Sequence, residues 1–372
     1  DVCVGAYRDN NGKPYIFQCV RDAQQEIGDD PSINKEYLPI DGHQGFKAVA
    51  TELLFGEGNA AIKEERIATV QTLSGTGSLR VGMTFIQKHI GTEVLISQPT
   101  WANHQNIIKE AGLKVGFYPY WDASTKGLNY KGMCEALEKA NSGAVVLLHA
   151  CAHNPTGVDP TEEQWRGIAK ICKARGLIPF FDSAYHGFAS GDVNKDRKAI
   201  LIFQEEGLSF AVSYSFAKNF GLYGERIGAL HFCCQTKQAA QNVLSQLKAI
   251  IRPMYSNPPQ NGALIVFRVL SNPQSNRAWL GEVKAVSNRI NDMRIALKQA
   301  LIDNKCPGNW DHITNQIGMF SFTGLNPKQC ELLTKKYHIY LVKSGRISMA
   351  GLNTKNVKYV ADAIKDAVVN VK

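Results

Sequence analysis

The chain has 372 residues, 44% of them hydrophobic, with a formal charge of +9, which allows one large domain with a sizeable core plus a smaller one. No apolar stretch is long enough to span a bilayer, the basic residues form no arginine-rich run interleaved with aromatics, and the nine cysteines include no C-x-x-C pair. Membrane spanning, nucleic-acid binding, a disulfide framework and a zinc site are set aside; free thiols in a reducing compartment and a basic surface that steers anionic small molecules to a cleft fit better.

Gly5 precedes the turn Asn10–Pro14; it is either a plain turn glycine or a point of close backbone approach to a ligand. Tyr37, in KEYLPI, reads on its own as half-buried packing. Ile67–Thr72 is a β-branched run read as a strand, Ser74-Gly75-Thr76-Gly77-Ser78 a turn, and Leu79–Ile90 a helix. Strand, glycine-rich turn and helix N-terminus make a ready anion site, although an ordinary connection has the same order. Val94–Ser97 is a further strand, after which Trp101 is either core or a flat face for stacking, with His104 one turn later.

Val145–Leu148 reads as a buried strand leading into HACAHNPTG, His149–Gly157. His149, Cys151 and His153 invite a metal reading, but no further ligand cluster lies nearby. Asn154 is the better candidate, because its amide can donate to a phenolate or carboxylate oxygen. Asp159 then reads as an N-cap, with Pro160 at the first helical position and Glu162 as its partner, for a helix that runs through Arg175 and ends at Gly176. Ile178–Phe181 is a strand that carries Asp182 at its end. A carboxylate after Phe-Phe is costly unless it meets a cation, the alternative being a cap of the next element.

The apolar run Leu208–Val212 enters SYSFAKNFGLYGERIG, Ser213–Gly228. Lys218 beside a strand end, with Ser215 and Arg226 at hand, suits a cofactor that bears both a carbonyl and a phosphate. The amine condenses with the aldehyde, while hydroxyl and guanidinium hold the phosphate. Lys237–Ile251 follows as an amphipathic helix, ending near Arg252, which by itself is a surface cation at a helix end. From Leu280 to Asn304 a long helix opens a second region, in which Phe320 is expected to line the cleft. Arg346 stands on a short strand in apolar company and needs an anion.

SGTGSLR, HACAHNPTG, FFDSAY, SFAKNFGLYGERIG, SNPPQNGA and GRISMAG occur in an order that resembles the aspartate aminotransferase family of fold-type I pyridoxal-phosphate enzymes, over nearly the whole chain. The resemblance implies an α/β fold: a mostly parallel sheet with helices on both faces in a large cofactor-binding domain, residues 15–285, and a smaller α+β domain, residues 1–14 and 286–372. It implies pyridoxal 5′-phosphate held by Ser74, Gly75, Thr76, Ser215 and Arg226 through the phosphate, by Asp182 at the ring nitrogen, by Tyr185 and Asn154 at the phenolate oxygen, by Trp101 stacking, and by Lys218 as covalent anchor and base. Ala184 would lie against the ring. It implies a homodimer with shared sites, in which Tyr37 reaches the neighbour's phosphate and Arg252 the neighbour's substrate. Arg346 would take the α-carboxylate, and Gly5 would lie close to the substrate.

The expected reaction is reversible transfer of the amino group of L-aspartate to 2-oxoglutarate by a ping-pong route. Two rivals stand beside it: a transaminase of broad or aromatic specificity, and a catalytically silent protein that keeps the fold. The basic charge leans towards a mitochondrial rather than a cytoplasmic member. A targeting segment or an N-terminal arm wrapping the neighbour would precede Asp1.

Overall fold

The computed structural model describes residues 1–371. Seven strands form the main sheet: β1 (Ile67–Leu73), β2 (Glu93–Gln98), β3 (Lys114–Pro119), β6 (Val145–His149), β7 (Ile178–Ser183), β8 (Phe210–Ser215) and β9 (Ile227–Cys233). Short pairs complete the set: β4 (Trp121–Asp122) with β5 (Gly127–Leu128), and β10 (Phe320–Phe322) with β11 (Arg346–Ser348). The order across the main sheet is β1-β9-β8-β7-β6-β2-β3, with only β9 antiparallel to its neighbours.

Alternate residues of each strand enter opposite faces. Leu148, Phe181 and Val212 join one apolar cluster, and Leu147, Phe180 and Ala211 the other. Helices Gln44–Phe55, Glu162–Arg175 and Asn261–Ser271 cover the first face; Ser74–His89 and Lys237–Tyr255 cover the second. A sheet buried on both faces reads as continuous apolar runs, as β6, VVLLH, does.

Strand edges shift by one to three residues, most at β8, which spans Phe210–Ser215 where Leu208–Val212 was expected, and four helix boundaries differ from the sequence reading. The helix expected at Leu79 begins at Ser74, so the glycine-rich stretch is its first turn. A Cβ on Gly75 would lie 3.2 Å from the Ser215 Cβ; glycine here serves close approach, not chain reversal. The helix expected to be capped by Asp159 is capped by Thr161, in a capping box with Gln164. Asp159 turns the other way and accepts from the Ala152 and His153 amides.

The helix from Lys237 runs past Ile251 to Tyr255 with Pro253 inside its last turn. The long helix spans Pro273–Asp303, because Pro273 takes the first-turn position and Asn272 caps it. It crosses the proposed domain boundary at 285 without a break. Two backbone bonds tie the N-terminus to the C-terminal part: Val2 N–H donates to Tyr340 O, and Ser348 N–H to Val2 O.

Candidate active site

The strand registers assemble the site. Asp182 pairs with His149 on one side and Ser213 on the other. Leu73 pairs with Ile227, and Ser215 with Gly228. The end of β1, the end of β8 and the start of antiparallel β9 therefore meet, and they carry Ser74, Ser215 and Arg226 to one corner. All of this lies at the carboxyl edge of the parallel strands, where open α/β sheets place their ligands.

A cavity of about 250 Å³ occupies that edge. Twelve of the fourteen residues singled out from the sequence line it: Gly5, Ser74, Gly75, Thr76, Trp101, Asn154, Asp182, Tyr185, Ser215, Lys218, Arg226 and Arg346. Ala184 and Phe320 line it as well. Tyr37 and Arg252 do not: Tyr37 is 82% exposed, and Arg252 is an exposed cation whose Nη1 donates to Ser256 Oγ at 2.8 Å. Among the described residues no group of three His, Cys, Asp or Glu side chains could hold a metal ion.

At one end of the cavity Ser74 Oγ and Ser215 Oγ lie 3.0 Å apart, at the N-terminus of helix Ser74–His89. Ser74 itself has φ +58°. The amides of a first helical turn lack intrahelical partners, so Gly75 and Thr76 present free N–H groups beside two hydroxyls and Arg226. This donor set matches the needs of a phosphate-sized anion.

In the middle stands Lys218. Burial lowers its pKa; the nearby Asp182 carboxylate partly opposes that shift, and Arg226 adds to it. Lys218 Nζ lies 5.3 Å from the centre of the Tyr185 ring. A lysine held towards its neutral form is a nucleophile and a proton acceptor.

Asp182 is buried, and a directed hydrogen-bond chain backs it. Asn154 N–H donates to His149 Nδ1 at 3.3 Å, so the hydrogen of His149 is on Nε2, which donates to Thr100 Oγ1 at 3.0 Å. The Thr100 hydroxyl then donates to His104 Nδ1 at 2.8 Å, and His104 Nε2–H to Asp182 Oδ2 at 2.9 Å. Burial would raise the Asp182 pKa; the His104 hydrogen bond and the positive charges around it outweigh burial and hold the carboxyl below its ordinary value. His149 is pushed down to about 3 by burial, with His104 adding to the shift.

At the far end Arg346 lies 4.0 Å over the Phe320 ring, with Nη1 donating to Asn154 Oδ1 and Nη2 to Cys3 O, each at 3.0 Å. Its buried Nε has no partner. A guanidinium with a spare buried donor at a cavity wall is built for a carboxylate. Asn154–Pro155 and Gln98–Pro99 are both cis.

Sequence reasoning passed over Tyr223, whose ring lines the cavity and whose hydroxyl accepts the Tyr7 N–H at 2.9 Å. It discounted His149 and Cys151 as metal ligands, and both turn out to be cavity wall. The pairing of β6 with β7 was the signal for His149; nothing local marks Tyr223.

Residues 1–364 match the family model for aminotransferase class I and II. The chain is 50% identical to the cytoplasmic aspartate aminotransferase of Dictyostelium discoideum, over 100% of this chain and 84% of that protein. Its fold superposes on the aspartate aminotransferase from Saccharomyces cerevisiae cytoplasm with a TM-score of 0.98 at 44% identity, covering 100% of this chain and 92% of the other. An aromatic-amino-acid aminotransferase from Burkholderia pseudomallei, covalently bound to pyridoxal phosphate, matches with a TM-score of 0.96 at 41% identity, covering 99% of this chain and 92% of that one.

Proposed function

The chain belongs to the class I and II aminotransferases, and on that premise we propose that it moves the amino group of L-aspartate reversibly to 2-oxoglutarate, giving oxaloacetate and L-glutamate by a ping-pong route. One observation carries the reading: a single cavity joins a lysine held towards neutrality, a buried carboxylate, an anion cradle at a helix N-terminus and an arginine with a spare buried donor.

The residues present fit pyridoxal 5′-phosphate. Its phosphate matches the cradle of Ser74, Gly75, Thr76, Ser215 and Arg226, and its ring nitrogen matches Asp182, a buried anion that otherwise faces only His104 and more distant positive groups. When bound, the cofactor supplies an aldehyde for the amino group and an electron-withdrawing ring. Asp182 would hold a proton on the ring nitrogen, with the chain from Asn154 to His104 orienting its carboxylate. Tyr185 and Asn154 would donate to the phenolate oxygen, and Trp101 and Ala184 would flank the ring. Lys218 Nζ would anchor the cofactor and take the proton from the substrate α-carbon. Arg346 holds the α-carboxylate against Asn154, with Gly5 giving the substrate backbone clearance.

Among the described residues the cationic side chains lining this chain's own cavity are Lys218, Arg226 and Arg346, each with another role, which leaves the second substrate carboxylate without a partner there. Exposed Arg252 and Tyr37 fit a homodimer in which each reaches the neighbour's site. The charge of +9 supports a mitochondrial setting; relatives named for mitochondria and for the cytoplasm match about equally, at 49% and 50% identity.

The test is steady-state kinetics with aspartate and phenylalanine in the parent and in Arg252→Ala and Arg346→Ala. Arg346→Ala should lose kcat/KM on both substrates, and Arg252→Ala mainly on aspartate, each by about two to three orders of magnitude, as for an unpaired buried carboxylate. A parent that prefers phenylalanine, or equal losses on both substrates in Arg252→Ala, overturns the dicarboxylate assignment.

A further inference from the structure

We infer that Asp159 and Asp196 are positioning residues of this site, each gathering the backbone N–H groups of one loop so that Asn154 and Tyr185 are held at the cofactor ring. The inference rests on the cofactor reading above. Asp159 Oδ2 accepts the Ala152 N–H at 2.6 Å and Oδ1 the His153 N–H at 2.9 Å. Asn154 is the next residue. Asp196 Oδ2 accepts the Gly187 and Ala189 N–H groups at 2.8 and 3.1 Å, and Oδ1 accepts the Ser190 N–H at 3.1 Å and its hydroxyl at 2.5 Å. Tyr185 lies two residues before that cluster.

Both carboxylates line a second cavity of about 240 Å³ behind the active one, and Cys151 walls both cavities. Among the described residues their polar partners are these loop donors alone; nearby Lys198 lies against Glu162 instead. Burial raises both carboxyl groups to about 6, against the pull of the N–H groups, and the Asp159 charge adds to the rise at Asp196. At neutral pH both are ionised, and an ionised acceptor binds several N–H groups more tightly than a neutral one.

The loops need such a tether. Ala152 has φ +51°, a left-handed conformation that a residue with a side chain adopts only when held. Its Cβ also sits under Gly318, where a side chain would come within 2.4 Å of it. A general stabilising role would leave the two carboxylates equivalent, but their connections differ. Asp159 holds the loop whose Asn154 takes Arg346 Nη1 at 3.0 Å, so it bears on the ring and on the substrate carboxylate. Asp196 bears on the Tyr185 loop alone.

The experiment uses holoenzyme loaded with pyridoxal phosphate and reads three quantities: the pH midpoint of the visible absorption band, the KM for aspartate and the thermal midpoint. Asp159→Asn and Asp196→Asn should each raise the band midpoint by about one pH unit, because a loosened donor stabilises the ring's phenolate less. Aspartate KM should rise about tenfold in Asp159→Asn and stay within about twofold in Asp196→Asn. Lys198→Ala, in the same cavity wall, should leave band and KM unchanged. If Asp159→Asn fails to fold, Asp159→Glu, which keeps the charge but displaces the acceptors, should shift the band in the same direction. Variants that lose thermal stability while the band titrates as in the parent overturn the inference. A parent without a pH-dependent visible band overturns the cofactor reading, and this inference with it.

Discussion

Lys218 shows how a side chain's surroundings set its chemistry. It follows an all-buried strand, where desolvation lowers its pKa, and it lies within the field of Asp182, which opposes that shift. On the proposed mechanism, Lys218→Ala removes anchor and base together while leaving the proposed phosphate cradle and Asp182 intact. Turnover should fall by about 10⁵ or more, while pyridoxal phosphate still binds without a covalent link, as followed by absorption after gel filtration. Turnover within about tenfold of the parent would take Lys218 out of the mechanism. At this scale the sequence was most readable where a residue is chemically unsuited to its neighbours. Asp182 after two phenylalanines and Arg346 beside isoleucine each signal a partner by the cost of lacking one. Tyr223 and Asp196 escaped, and Asp159 was read only as a cap, because their partners are mostly backbone groups, which no residue type advertises.

Elements were legible by type and less so by edge. β6, β7 and β8 are apolar runs long enough for strands and too short for helices, and all three are strands, although β8 starts and ends two to three residues later than its apolar run. The errors arose where two signals compete. Glycines at 75 and 77 read as a turn, yet they lie in a helix, where close contact with Ser215 and Leu73 requires the absence of a Cβ. Asp-Pro-Thr-Glu offers two possible caps, and the tertiary demand of the Ala152–His153 amides draws Asp159 away, leaving the cap to Thr161. Thr161→Ala should therefore destabilise the protein by about 1 kcal/mol in denaturant melts while kcat and KM stay at parental values. No loss of stability would return the cap to Asp159. A loss of activity would couple helix Glu162–Arg175 to the site in a way the hydrogen bonds do not show.

The whole molecule titrates as a set of buried histidines. His149 and His231 are held near 3, His186 and His312 near 4, and His153 well below its ordinary value, all chiefly by burial. Each is neutral when folded and gains a proton when unfolded near pH 6.5, so stability is complete above that pH and is lost as pH falls towards the folded values. Asp159 and Asp196, raised to about 6, act in the opposite sense over roughly pH 6 to 4 but are fewer. The thermal midpoint should drop between pH 7 and pH 5, at about 1.4 kcal/mol per unit for each uncompensated histidine; a flat profile would mean that the histidines are charged in the fold. The larger question is whether one chain makes a complete site. Two of the residues singled out from the sequence, Tyr37 and Arg252, are exposed and outside the chain's own cavity, and the proposed homodimer gives them a site in the neighbour. If Arg252 serves the neighbour, each site combines Lys218 of one chain with Arg252 of the other. Lys218→Ala and Arg252→Ala homodimers should both be nearly inactive on aspartate. In a mixed dimer one site collects both defects and the other collects neither. Random mixing makes about half of the dimers mixed, each with one good site in two, so co-refolding should restore roughly a quarter of the parental activity. Mixed dimers verified by differential tagging that stay inactive would mean that Arg252 does not serve the neighbour's site.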